Sequence, residues 1–166
     1  MTNFIEFTIK NLDLRTEKAT QALEGTKFRL KYAIRDNNKA EILEYSERIE
    51  NLQNNIVGYA KAKLKLQSNS IVTSEDAKYI IKGLDIRSKR LKENLEMCQN
   101  AINREQKALI TKQDTVMDIG GGLGVSIKHY DDVSIKIIEE CEQRVEKITK
   151  SLGHCEVATK FFKNYL

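Results

Sequence analysis

Residues 73–113 read TSEDAKYIIKGLDIRSKRLKENLEMCQNAINREQKALITKQ, and this stretch decides the fold. Ile81, Leu84, Leu91, Leu95, Cys98, Ile102 and Leu109 recur along it at steps of three and four, with Ser88 and Glu105 filling the gaps. That spacing is the heptad signature of a helix that packs along its length on another helix. At about 1.5 Å per residue such a helix would run roughly 60 Å. It has no way to bury that stripe on itself, so the rest of the chain has to supply partner helices.

The neighbouring segments carry matching rows. Leu12, Thr16, Ala19, Leu23, Thr26, Leu30 and Ala33 mark a first helix, with Phe28, Tyr32 and Ile34 widening its apolar face. Ile42, Tyr45, Ile49, Leu52, Ile56, Tyr59 and Leu66 mark a second, with Lys63 the one departure. Asp36, Asn37 and Asn38 between them form a turn signal short enough to predict an antiparallel hairpin. Ile138, Cys141, Val145, Ile148, Leu152, Cys155 and Phe162 mark a last helix, either continuous or kinked at Gly153. Thr73 is the expected N-cap of the third helix, with Glu75 and Asp76 in its first turn, where the helix dipole favours negative charge.

The expected fold is therefore all-α: an elongated antiparallel helical bundle or coiled coil of about four helices, with a glycine-rich connector before the last. The expectation is a single helical domain over residues 1–166. It comprises an arm and helix one at 1–36, helix two at 39–68, helix three at 73–113, a glycine-rich loop at 114–130 and helix four at 131–166. Asn3 to Lys10, NFIEFTIK, alternates apolar and polar residues at Ile5, Phe7 and Ile9, which predicts an extended arm or short strand; an irregular first helical turn is the alternative.

Composition agrees with long solvated helices. The 166 residues include no Pro, no Trp and 8 Gly, and 31% are charged. Without Pro nothing forces a helix to break. The net charge of +4, from 28 basic and 24 acidic residues, is a mild excess with interleaved signs, unlike the concentrated basic face of most nucleic-acid binders. One candidate basic patch stands out: Lys61, Lys63 and Lys65 near the end of helix two, with Arg87, Lys89, Arg90 and Lys92 on helix three. Three cysteines, Cys98, Cys141 and Cys155, lie on apolar rows and do not suggest a disulfide framework. His129 and His154 make no ligand pair of zinc-finger spacing with them, so no metal is expected. Glu139, Glu140 and Glu142 lack the Glu-x-x-His partner of a carboxylate-bridged metal bundle and read as surface. The N-terminus has no signal-peptide pattern and no run is long enough to span a membrane, which predicts a soluble, cytoplasmic chain with leaderless secretion left open.

The break in composition is Asp118 to Ser126, DIGGGLGVS. Thr115 to Gly124, TVMDIGGGLG, resembles the first motif of S-adenosylmethionine-dependent methyltransferases, an apolar strand leading to an acidic residue and a glycine-rich turn. The resemblance implies that Gly120, Gly122 and Gly124 admit a cofactor to the backbone. It covers about ten residues, and the doubly wound sheet it implies needs strand–helix units that the following residues do not supply. The Lys and Ser or Thr of a P-loop do not follow these glycines. Three readings stay open: a plain connector, a small β-hairpin pairing Val116–Ile119 with Val125–Tyr130, or an apolar tip that docks on a partner. The tip would present Val116, Ile119, Gly120, Gly121, Gly122, Leu123, Gly124 and Val125, flanked by Met117 and Ile127. No catalytic constellation and no cofactor are expected. Function is expected to be recognition of another protein, or self-association, through helix faces and this loop. A small secreted or secretion-partner protein and a nucleic-acid-associated bundle are the alternatives.

Overall fold

A computed structural model describes residues 2–118 and 124–166, with side chains described for 4–111 and 132–166. The described residues form an all-α helical bundle of four helices: α1 Thr2–Arg35, α2 Lys39–Gln67, α3 Ser74–Asp118 and α4 Gly124–Lys163. It divides into two compact units. The first comprises Met1–Arg87 and His154–Leu166, and the second Ser88–Gly153. Helices α3 and α4 each pass from one unit into the other. No helix among the described residues is long and apolar enough to cross a membrane.

The two connections in the first unit are closed by asparagines. Asn37 and Asn69 adopt φ values of 53° and 50°, the left-handed conformation that Asn tolerates better than most residues. The Asn38 backbone N–H then donates to the Ala33 carbonyl at 2.9 Å, and the Asn38 side chain accepts from the Glu41 N–H to cap α2. Thr73 caps α3 as expected. The Asp76 N–H donates to its hydroxyl at 3.4 Å, and its own N–H donates to the Asp76 carboxylate at 2.9 Å, a reciprocal arrangement of capping-box type.

The core of the first unit contains Leu12, Ala33, Tyr59, Ala62, Ala77, Ile80, Leu84, Cys155, Ala158 and Phe162. Several expectations change here. The predicted N-terminal strand is helix, because Phe4, Phe7, Thr8 and Leu12 serve α1 at helical spacing. Phe4 meets Phe161 at 5.2 Å and Phe7 meets His154 at 5.3 Å, while Thr8 is fully buried with its hydroxyl donating to the Phe4 carbonyl at 2.7 Å. A Thr satisfied inside its own helix breaks the polar alternation that suggested a strand. Phe28, Tyr32 and Ile34 do not widen the buried face: they are 59%, 43% and 57% exposed. Phe28 lies two residues past buried Thr26, about 200° around the helix.

In the second unit α3 and α4 run antiparallel. The Ser134 hydroxyl donates to the Glu105 carboxylate at 2.9 Å, which sets the register. Leu91, Leu95, Cys98, Ile102 and Glu105 then line up in reverse order with Ile148, Val145, Cys141, Ile138 and Ser134, all buried or half-buried. From Leu91 onward the row predicted on α3 is therefore one side of this seam, while Leu84 belongs to the core of the first unit. Helix α4 is continuous through Gly153. It begins at Gly124 rather than Asp131, and α3 continues to Asp118. Residues 116–118 and 125–130 are thus helical, and the β-hairpin is not formed by them. In sequence Val116 lies one heptad past Leu109 and Ile127 one heptad before Ser134, so both rows stay in step with the helical repeat.

Candidate functional site

The α2 lysines of the predicted basic patch do not stand as free cations. Lys61 pairs with Glu75 at 3.6 Å, Lys63 with Asp13 of α1, and Lys65 with Asp76 of α3. The alternating positions send Lys63 toward α1 and its two neighbours toward the first turn of α3. Arg87 lies in the first unit, whereas Lys89, Arg90 and Lys92 lie in the second; Lys89 and Arg90 are exposed, as is Lys92. Glu139, Glu140 and Glu142 are exposed.

Asp76 is the centre of the polar contacts between α2 and α3. It is 1% exposed and receives the Lys65 ammonium, the Thr73 hydroxyl and the Thr73 N–H. Burial pushes its carboxyl up, but the hydrogen bonds from Lys65 and Thr73 outweigh burial and hold it below the usual Asp value. Beside it, Gly58 lets α2 approach the Tyr79 ring, which stands edge-on to Tyr59 at 5.9 Å. A cleft of about 190 Å³ opens here, lined by Gly58, Lys61, Glu75, Asp76 and Tyr79 among others. It is smaller than the roughly 300–1,000 Å³ of most small-molecule sites.

Helix α1 also buries polar residues that an apolar pattern does not mark. Asn11 is 4% exposed and Arg15 5%, and both pack against Gly83, where an added Cβ would meet Asn11 Nδ2 at 3.4 Å and Arg15 Cγ at 3.5 Å. Both amide atoms of Asn11 are buried without a hydrogen-bond partner among the described residues. Burial raises the Tyr59 hydroxyl above its ordinary pKa, while the Arg15 charge acts against the rise. The signal available in sequence was spacing alone: Thr8, Asn11, Arg15 and Ala19 follow helical steps.

Exposed apolar side chains are the remaining candidates. On α1, Phe28 and Tyr32 stack edge-to-face at 4.8 Å, and the Arg35 guanidinium lies over the Tyr32 ring at 4.8 Å. On α2, Leu43, Val57 and Leu64 are 63%, 65% and 63% exposed and share one heptad position. Of the predicted loop residues, Val116, Gly124 and Val125 are helical in backbone. Their side chains, and Ile119, Gly120, Gly121, Gly122 and Leu123 altogether, lie outside the described residues, as does the His129 side chain. The methyltransferase resemblance is not supported by the backbone: the motif requires a strand before its acidic residue, and Thr115–Asp118 is helix. No group of three or more metal-ligating side chains occurs among the described residues. No protein-family model, curated protein or solved structure matches the chain.

Proposed function

We propose that this chain is a non-enzymatic protein–protein interaction or adaptor module, acting through helix faces and through the apolar glycine-rich stretch at 116–125. The observation that carries the reading is the exposed apolar surface on the first two helices. Phe28 and Tyr32 of α1, and Leu43, Val57 and Leu64 of α2, leave large side chains in water at helical spacing. Exposing them is unfavourable by about 25 cal/mol per Å² of apolar area, a cost that a partner surface would remove. Aromatic residues beside an Arg are also the side chains that most often dominate such contacts. The heptad seam of the second unit supports the coiled-coil character of the reading, and the same kind of face serves self-association.

The test is affinity capture from the native host with three baits: wild type, a Phe28→Ser/Tyr32→Ser variant, and a variant with Ile119, Leu123 and Val125 replaced by Ser. A partner held by wild type and lost in one variant, with helicity unchanged, supports the reading and locates the face. Equal capture by all three baits counts against both surfaces.

A further inference from the structure

The seam of the second unit places two thiols opposite one another. Starting from the Ser134–Glu105 hydrogen bond and moving one heptad along each antiparallel helix leads to Cys98 on α3 and Cys141 on α4. The Cys98 thiol is close enough to Cys141 to help raise that thiol's pKa. Helices packed about 8–10 Å apart, with Cα atoms on cylinders of about 2.3 Å radius, leave facing Cα atoms about 3.4–5.4 Å apart, which overlaps the roughly 4.4–6.8 Å that a disulfide spans. Both are free cysteines; Cys141 is buried and Cys98 half-buried.

We propose that Cys98 and Cys141 form a modification site, a dithiol that a small-molecule disulfide converts into an inter-helix disulfide clamping α3 to α4. The Cys98 thiolate attacks one sulfur of the small disulfide, forms a mixed disulfide and releases one small thiolate. Cys141, after losing its proton, attacks the Cys98 sulfur and releases the second. The two protein thiols thus lose two protons and two electrons, which leave with two small thiols. Burial, with Cys98 adding to it, raises the Cys141 thiol, so half-buried Cys98 is the first to meet the oxidant. Cys155 belongs to the first unit and is 1% exposed, so it does not compete.

The experiment incubates the full chain, folded, with oxidised glutathione, blocks remaining thiols with N-ethylmaleimide, and maps unreduced peptides by mass. The expected product is a monomer with a Cys98–Cys141 peptide link, lighter by two hydrogens, and with Cys155 unreacted until denaturation. In Cys141→Ala the reaction should stop at a glutathione adduct on Cys98, and in Cys98→Ser no link should form and Cys141 should stay unmodified. A wild-type chain that does not react, accumulates the Cys98 adduct beside free Cys141, or links Cys98 to Cys155 or to a second chain would overturn the proposal.

Discussion

Replacing Gly58 by Ala tests the packing of α2 on α3 against the ordinary behaviour of a helical glycine. In an open helix position Gly→Ala stabilises by about 0.5–1 kcal/mol, because Gly loses more backbone entropy on folding. Gly25 and Gly153 have nothing within 4 Å of an added Cβ, so G25A and G153A should each gain about that much. At Gly58 the same atom would stand 2.4 Å from Cζ of Tyr79 and 2.5 Å from two further ring atoms. Ordinary contact begins near 3.4 Å, so the ring must retreat by about 1 Å. Overpacking of this kind costs about 1–3 kcal/mol, and disturbing the edge-on Tyr59–Tyr79 pair costs about 0.5–1.5 kcal/mol more. Set against the helical gain, G58A should be destabilised by about 1–3 kcal/mol. Urea unfolding followed by circular dichroism at constant m reads the sign directly. Tyr79→Ala should cost stability alone, yet add little to G58A, since the clash is gone; that coupling is the signature of contact. A G58A protein stabilised like G25A would refute the close approach of α2 to Tyr79.

Three further outcomes follow from the polar groups. Asp76→Asn should cost about 2–3 kcal/mol at neutral pH by breaking a buried charge-assisted contact. Because the folded-state pKa of Asp76 lies below the ordinary 3.8, its contribution is present above that value and is lost as pH falls through the folded one. Urea midpoints measured between neutral and strongly acidic pH should therefore fall further for wild type than for D76N. Ser134→Ala should cost about 1–2 kcal/mol by leaving Glu105 in the seam without its hydroxyl donor, and adding Glu105→Leu should restore most of that, read by the same unfolding curves. Asn11→Leu should stabilise by about 1–3 kcal/mol, since it removes two buried amide atoms that have no partner among the described residues; a lower urea midpoint would show that those atoms are satisfied in solution.

The helices and their principal rows were readable because a heptad row survives one or two polar departures. Leu91 to Leu109 announced a seam, and Asn37 and Thr73 announced where helices end and begin. The buried polar set was not readable in the same way. Thr8, Asn11 and Arg15 count as surface in any apolar pattern, and Asn11 and Arg15 pack against Gly83, which is distant in sequence. The same limit applies to the lysines of α2. Lys61, Lys63 and Lys65 look like a patch on a helical wheel, but Asp13, Glu75 and Asp76 reach them from other helices. Near the glycines the difference is local: the composition predicts a loop over 114–130, open between a connector, a hairpin and an apolar tip, whereas the heptad step from Leu109 to Val116 is the better guide to where α3 ends. Phe28 and Tyr32 were assigned to the buried face on hydrophobicity alone, although their angular position placed them opposite it. That misassignment matters for function, because the surface they expose supports the proposed recognition role.

Hydrogen exchange on the captured complex tests that role most directly. Amide exchange would be compared between the free chain and the chain bound to the partner retained by wild type. Protection should concentrate on residues 28–35 and 43–64, or on 116–125, with the remaining amides unchanged. Protection absent from all three stretches, or confined to helix faces elsewhere, would contradict that role.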